Sequence, residues 1–219
     1  MRYDGVVYLP VSMGEAIDKL TILDIKRDKI IDLHNHSQQE YDILYAELKL
    51  FIMKYDVLYN NMKRVNLRIW DMMEIIRNKY IDTKTYLSIC QECTEYNDIR
   101  FKVKRKINKI SCSLLSEQKS YGVNNLRINV NKNINDDDMF LNIINFLSIK
   151  HDNIYIISNF ELNSLRGFFS YDKTIIFETT ASIETESNVI VVIEDIQYND
   201  IDLYALFNIN EEDIRRYNN

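Results

Sequence analysis

Along the first half of the chain, apolar residues return at intervals of three and four. In VSMGEAIDKLTILDIKRDKI (11–30), Ala16, Leu20, Leu23 and Ile30 share one side of a helix at 100° per residue. Glu15, Asp18, Lys19, Lys26 and Lys29 share another, with Ile22 among them. Ser12 and Glu15 form a Ser-x-x-Glu capping box just after Pro10, which sets the start of this helix. A polar loop (32–37) follows, and Ser37 with Glu40 repeats the box. Then come some forty residues without Gly or Pro, in which Leu44, Leu48, Phe51, Tyr55, Leu58, Met62, Val65, Ile69, Met72 and Ile76 keep helical spacing. They predict one long helix, or two broken near 54–56. Asp82 or Thr83 caps a last helix running to about Ser116. Helices of this length bury their stripes against one another, so an antiparallel helical bundle or a long helical hairpin is expected.

The period changes at Gly122. LRINV (126–130), NIYIIS (153–158), TIIFE (174–178) and NVIVVIE (188–194) are short runs rich in Ile and Val, which predict strands buried on both faces. Between the first two, DDDMFLNIINFLSIK predicts a helix whose three acids suit its positive N-terminal end. Between the second and third, ELNSLRGFFS predicts another. The order β-α-β-α-β-β-α implies a small α/β domain with a mainly parallel sheet. The expected fold class is therefore α+β in two modules, a helical domain over 1–121 and the α/β domain over 122–219.

Composition changes this picture little. Four Gly and one Pro leave few tight turns, which agrees with long helices. The net charge of −6 hides an asymmetry. Residues 1–121 hold 20 Lys+Arg against 17 Asp+Glu, whereas 122–219 hold 7 against 16, so the modules differ in sign and suit different partners. No apolar run reaches the length of a membrane span, and MRYDGVVYLP lacks a signal peptide's regions. Three cysteines without a secretion signal read as reduced thiols in a cytoplasmic protein.

Polar stripes are where chemistry is to be sought. Asn66, Trp70, Glu74 and Arg77 fall within one arc of the middle helix, and Asn97, Arg100, Lys104 and Asn108 within one arc of the last. Bundled with Glu15, Asp18, Lys19 and Lys26, they make a charged, amide-rich patch with an indole in it. There Arg and Lys hold an anion, Asn supplies fixed hydrogen bonds and Trp stacks on a sugar or base. The competing expectation is an interhelical network of salt bridges and amides that sets register.

Other motifs are weaker. Cys90-x-x-Cys93 has no second ligand pair, His34 and His36 stand with one further histidine (His151), and no metal site or cofactor is expected. Asp136-Asp137-Asp138 contains the Asp-x-Asp of some sugar transferases, but its place at a helix start explains it. The α/β half has neither a dinucleotide nor a P-loop signature. Asn159, Glu178, Glu194 and Asp195 fall at or just past strand C-termini, where open α/β sheets bind ligands. KVKRKINK (102–109) is a basic ridge, but the acidic pI of about 5.2 argues against nucleic acid as a partner.

Several blocks, taken in order, resemble a family of small, mostly bacterial, all-helical domains of unknown function. They are VSMGEAIDKLTILDIK (11–26), Glu47-Leu48, VNLRIWDMMEIIR (65–77) with Asn66, Trp70, Asp71, Glu74 and Arg77, NDIRFKVKRKIN (97–108) and EQKSY (117–121). The resemblance covers about half of the chain and falls largely on the polar stripes. It implies a setting in surface-polysaccharide or lipopolysaccharide assembly, near sugar transferases, and carries no catalytic residue. Residues 122–219 lie outside it and are too few for a complete two-domain sugar transferase. The expectation is thus an accessory or binding protein of glycan assembly, which holds an anionic sugar derivative such as a nucleotide sugar, or a partner enzyme, on the helical patch. The alternatives are a sugar-nucleotide-dependent transferase using the α/β half, and a helical, coiled-coil-like module that forms a homodimer.

Overall fold

The structure, a computed structural model, describes residues 9–31, 36–78, 80–117, 125–130 and 138–179. The chain divides into two compact units, Met1–Gln118 and Lys119–Asn219.

The first unit is helical: α1 (Met13–Lys29), α2 (His36–Lys54), α3 (Asp56–Asn78) and α4 (Thr83–Ile110). The long apolar run is broken at Tyr55 alone. There the Tyr55 amide still donates to Phe51 and the Tyr55 carbonyl still accepts from Tyr59, so the interruption keeps a hydrogen bond on each side. Asp82 caps α4, accepting from the amides of Lys84 and Thr85. α1 is the central rod, because it packs against α2, α3 and α4 alike. Its apolar side chains Ile17, Leu20, Leu23 and Ile25 are buried, and Leu58, Met62, Val65 and Met72 of α3 and Phe101, Val103 and Ile107 of α4 complete the core. Ile30, assigned by periodicity to the same side as Leu20, is exposed.

Three helix ends differ from the sequence expectation. Ser37 lies inside α2, so it is not the N-cap of that helix. At α1 only half of the capping box forms: Ser12 Oγ accepts from the Glu15 amide (3.2 Å), but the Glu15 carboxylate turns to Lys104. α4 stops at Ile110, not near Ser116. Its end is a Schellman turn, in which the Ser113 amide donates to Asn108 and the Cys112 amide to Lys109, with Cys112 in the left-handed region (φ 52°) where glycine is usual.

The second unit runs β1 (Asn125–Val130), α5 (Asp138–Lys150), β2 (Asn153–Ser158), α6 (Asn163–Phe168) and β3 (Ile175–Thr179). The three strands are parallel in the order β1-β2-β3. The expectation of strands buried on both faces is corrected. Leu126, Ile128 and Val130 alternate with Asn125, Arg127 and Asn129, and Ile154 and Ile156 alternate with Tyr155 and Ile157, so one face is sealed and the other is partly open. Strands taken in sequence order put successive same-handed crossovers on one face, which explains the one-sided burial. α5 supplies Phe140, Ile143, Ile144, Phe146 and Leu147 to that core. The fourth predicted strand (188–194) and the last helix lie outside the described residues. Among the described residues, no helix is long and apolar enough to cross a membrane.

Candidate functional site

Six of the twelve candidate residues meet where α1 lies against α3 and α4. Asp18, Glu15 and Gly14 face Arg100, Lys104 and Asn108 in reverse order, so α4 runs antiparallel to α1. At the centre, the buried Asp18 carboxylate is held in a fork by Arg100, with Nε to Oδ1 at 2.8 Å and Nη2 to Oδ2 at 2.5 Å. Asn66 of α3 spends its amide on the same cluster, donating to Asp18 Oδ1 (2.8 Å) and Thr21 Oγ1 (2.9 Å). The Thr21 hydroxyl donates in turn to the Asp18 carbonyl. Hydrogen bonding to Asp18 raises the pKa of Arg100 against the opposing effect of burial. A buried carboxylate is tolerated only with such full coordination.

One turn away, Lys104 bridges two acids, Glu15 Oε1 at 2.7 Å and Glu117 Oε2 at 2.6 Å. Burial works against the charge on Lys104, but hydrogen bonds to Glu117 and Glu15 outweigh it and raise the pKa. The next layer caps α1 from outside. Asn108 Oδ1 accepts from the Gly14 amide (2.7 Å), and Ser113 Oγ accepts from the Met13 amide (3.3 Å). With Ser12 on Glu15, the first three α1 amides are all satisfied. Gly14 is required here, because a Cβ on it would stand 2.6 Å from the Lys104 carbonyl oxygen.

The other six candidates lie elsewhere. Lys19 points outward to Glu40 of α2 (2.7 Å). Asn97 is exposed and donates to the Cys93 carbonyl on its own helix. Lys26 is half-buried near the end of α1, and Glu74 and Arg77 are exposed on α3. Trp70 is half-buried, and its indole Nε1 is covered by protein with no acceptor among the described residues. Of these, Lys26 belongs to the basic last turn of α1, where Lys29 pairs with Asp71 of α3 at 3.0 Å. Hydrogen bonding to Asp71, with a further contribution from Glu74, raises the pKa of Lys29.

Sequence reasoning missed Gly14, Thr21, Ser113 and a second network. In that network Asp24 accepts from Tyr59 (2.9 Å) and pairs with Lys63 (2.6 Å), while the Arg27 guanidinium sits 4.0 Å above the Tyr41 ring. A glycine inside an amphipathic helix was the one signal that pointed to the first of these.

The cysteines are free thiols, and burial pushes the Cys93 thiol up, away from the reactive thiolate. Among the described residues, no group of three or more His, Cys, Asp or Glu is placed to hold a metal ion. In the second unit, Asn159 and Glu178 are both exposed at the carboxyl ends of the adjacent strands β2 and β3. The described strands show no reversal of order, which is the feature that opens a ligand crevice in such sheets. Glu194 and Asp195 lie outside the described residues. Set against family models, curated proteins and solved structures, the chain matches none of them.

Proposed function

We propose that this is an accessory or binding protein of surface-glycan assembly. Its helical unit takes an anionic sugar derivative at the rim formed by Lys26, Trp70, Glu74 and Arg77. The setting comes from the resemblance of residues 11–121; the role comes from the side chains. Acid–base or nucleophilic catalysis needs a group free to exchange protons or electrons with substrate. Around Asp18 the acids and bases are matched to one another, which suits a brace that fixes α1. Glu15, Asp18 and Glu117 also outnumber Arg100 and Lys104, so that cluster repels an anion.

The observation that carries the reading is the Trp70 indole N–H, covered and without an acceptor among the described residues. A donor left so costs about 1–3 kcal/mol. A small turn of the ring toward the rim, where a sugar hydroxyl or phosphate oxygen accepts that proton, relieves the cost. Lys26 and Arg77 then face the anionic group, and the indole face covers the sugar.

Trp70 is the one tryptophan of the chain, so its fluorescence reports this site alone. Titration with sugar phosphates and nucleotide sugars is expected to give a saturable change, with Kd raised about tenfold in Lys26→Ala or Arg77→Ala, the loss of one charge-assisted contact. A signal that stays flat to millimolar ligand, or that is the same in both variants, rejects the site. A signal restored only by a co-purified protein would assign the rim to a partner enzyme instead.

A further inference from the structure

Helix α2 carries two apolar seams, and the bundle covers one. Tyr41, Leu44, Leu48, Phe51 and Tyr55 recur at spacings of three and four, and they are buried or half-buried toward the rest of the unit. Ile43, Ala46, Leu50 and Met53 recur with the same spacing two residues out of phase, about 200° around the helix, and Val57 continues the count after Tyr55. This second seam lies open. Ile43 is 69%, Leu50 74% and Met53 75% exposed, and Leu48 is the one buried residue of the helix. A surface helix of a lone domain turns such positions to polar residues; a heptad pattern of large aliphatic side chains left in water is a helix-pairing seam.

The charges beside the seam choose the occupant. Flanking positions are acidic in the first half of α2 (Glu40, Asp42, Glu47) and basic in the second (Lys49, Lys54). A parallel copy would set acid beside acid and base beside base. An antiparallel copy sets the acidic half of each helix along the basic half of the other, and flanking charges of this kind govern orientation in paired helices.

We infer that α2 is a self-association surface, on which a second copy of this chain docks its own α2 antiparallel about a two-fold axis near Leu48. In this register Ile43 lies level with the partner's Met53, and Ala46 with the partner's Leu50. Glu40 comes alongside the partner's Lys54. The same patch meets itself, which is the isologous contact of a closed dimer. A 19-residue helix is about 28 Å long, and two such seams bury on the order of 1,000 Å², the lower end for a specific pair. The dimer is therefore a weak, concentration-dependent one. It does not rest on the sugar-binding reading, which concerns α1 and α3.

Sedimentation velocity of the full chain from 1 to 200 μM tests this, together with Leu50→Lys at the middle of the seam. Leu50 is three-quarters exposed, so the variant is expected to keep its helical circular dichroism and melting profile. A dimer that forms over this range and is lost in Leu50→Lys is the expected result. Orientation is read by mixing Ile43→Cys and Met53→Cys chains whose three native cysteines are serine. Preferred disulfides between 43 and 53 support the antiparallel pair. A monomer throughout, a dimer that survives Leu50→Lys, or preferred bonding of 43 to 43 overturns it.

Discussion

Asp18 is the most constrained residue of the helical unit. Its side chain is 4% exposed, and its fork with Arg100 exchanges two hydration shells for one rigid pair. Removing one member is far worse than replacing both, because a lone ion is left in the interior. Arg100→Ala is expected to cost about 3 kcal/mol or more in urea unfolding followed by circular dichroism. The double variant Asp18→Asn with Arg100→Met, which keeps an acceptor for Asn66, is expected to cost clearly less. Equal losses in the two would show that Asp18 is not a stranded charge. Helical phase alone placed Asp18, Asn66 and Arg100 on facing stripes. It could not tell that Asp18 is buried while Lys19, one residue on, reaches out to Glu40. That depends on α1 being covered from three sides, a property of the assembled helices and not of any one of them.

At the scale of elements, the approach of α1 to α4 turns on Gly14. An added methyl meets a backbone carbonyl at 2.6 Å, so the helices must separate to admit it. Gly14→Ala gains helix propensity, but overpacking typically costs about 1–3 kcal/mol, and the net effect is destabilising. A lower melting temperature for Gly14→Ala, against an unchanged or higher one for Gly167→Ala, checks this, since a Cβ at Gly167 meets nothing within 4 Å. Helices and strands themselves were legible, because apolar spacings of three and four mark one buried side of a helix, and short Ile-rich runs mark strands. Their ends were less so. α4 closes with Cys112 in a conformation that sequence rules assign to glycine, so nothing in SCSLLS marks the stop. The sheet departs from expectation at the level of single positions. Ile and Val at consecutive positions suggest two covered faces, but Arg127 and Asn129 between the apolar residues of β1 already announced an open one.

At the scale of the whole molecule, the networks around α1 contribute an alkaline limit to the helical unit. Burial, reinforced by Asp24, pushes the Tyr59 phenol far above its ordinary 10.0, and Lys104 is raised above 10.5. Both groups hold their protons in the folded state after the unfolded chain has begun to lose them. Their contribution to stability is therefore complete below about pH 10 and falls as pH rises toward the folded values, by up to about 1.4 kcal/mol per pH unit for each group. Urea melts between pH 8 and 12 are expected to show this decline, with a shallower slope in Tyr59→Phe. An identical slope would remove Tyr59 from the account.

The first amides of α1 are completed by Asn108 and Ser113, nearly a hundred residues downstream. A chain emerging from the ribosome at roughly 5–20 residues per second therefore leaves the start of α1 without these partners for several seconds. During that interval Ser12 is the local cap, and the Met13 and Gly14 amides are left to water. Completion of this unit must wait for its last helix, and a chain cut before Ser113 would lack the partners that complete the start of α1 as well as the missing end itself.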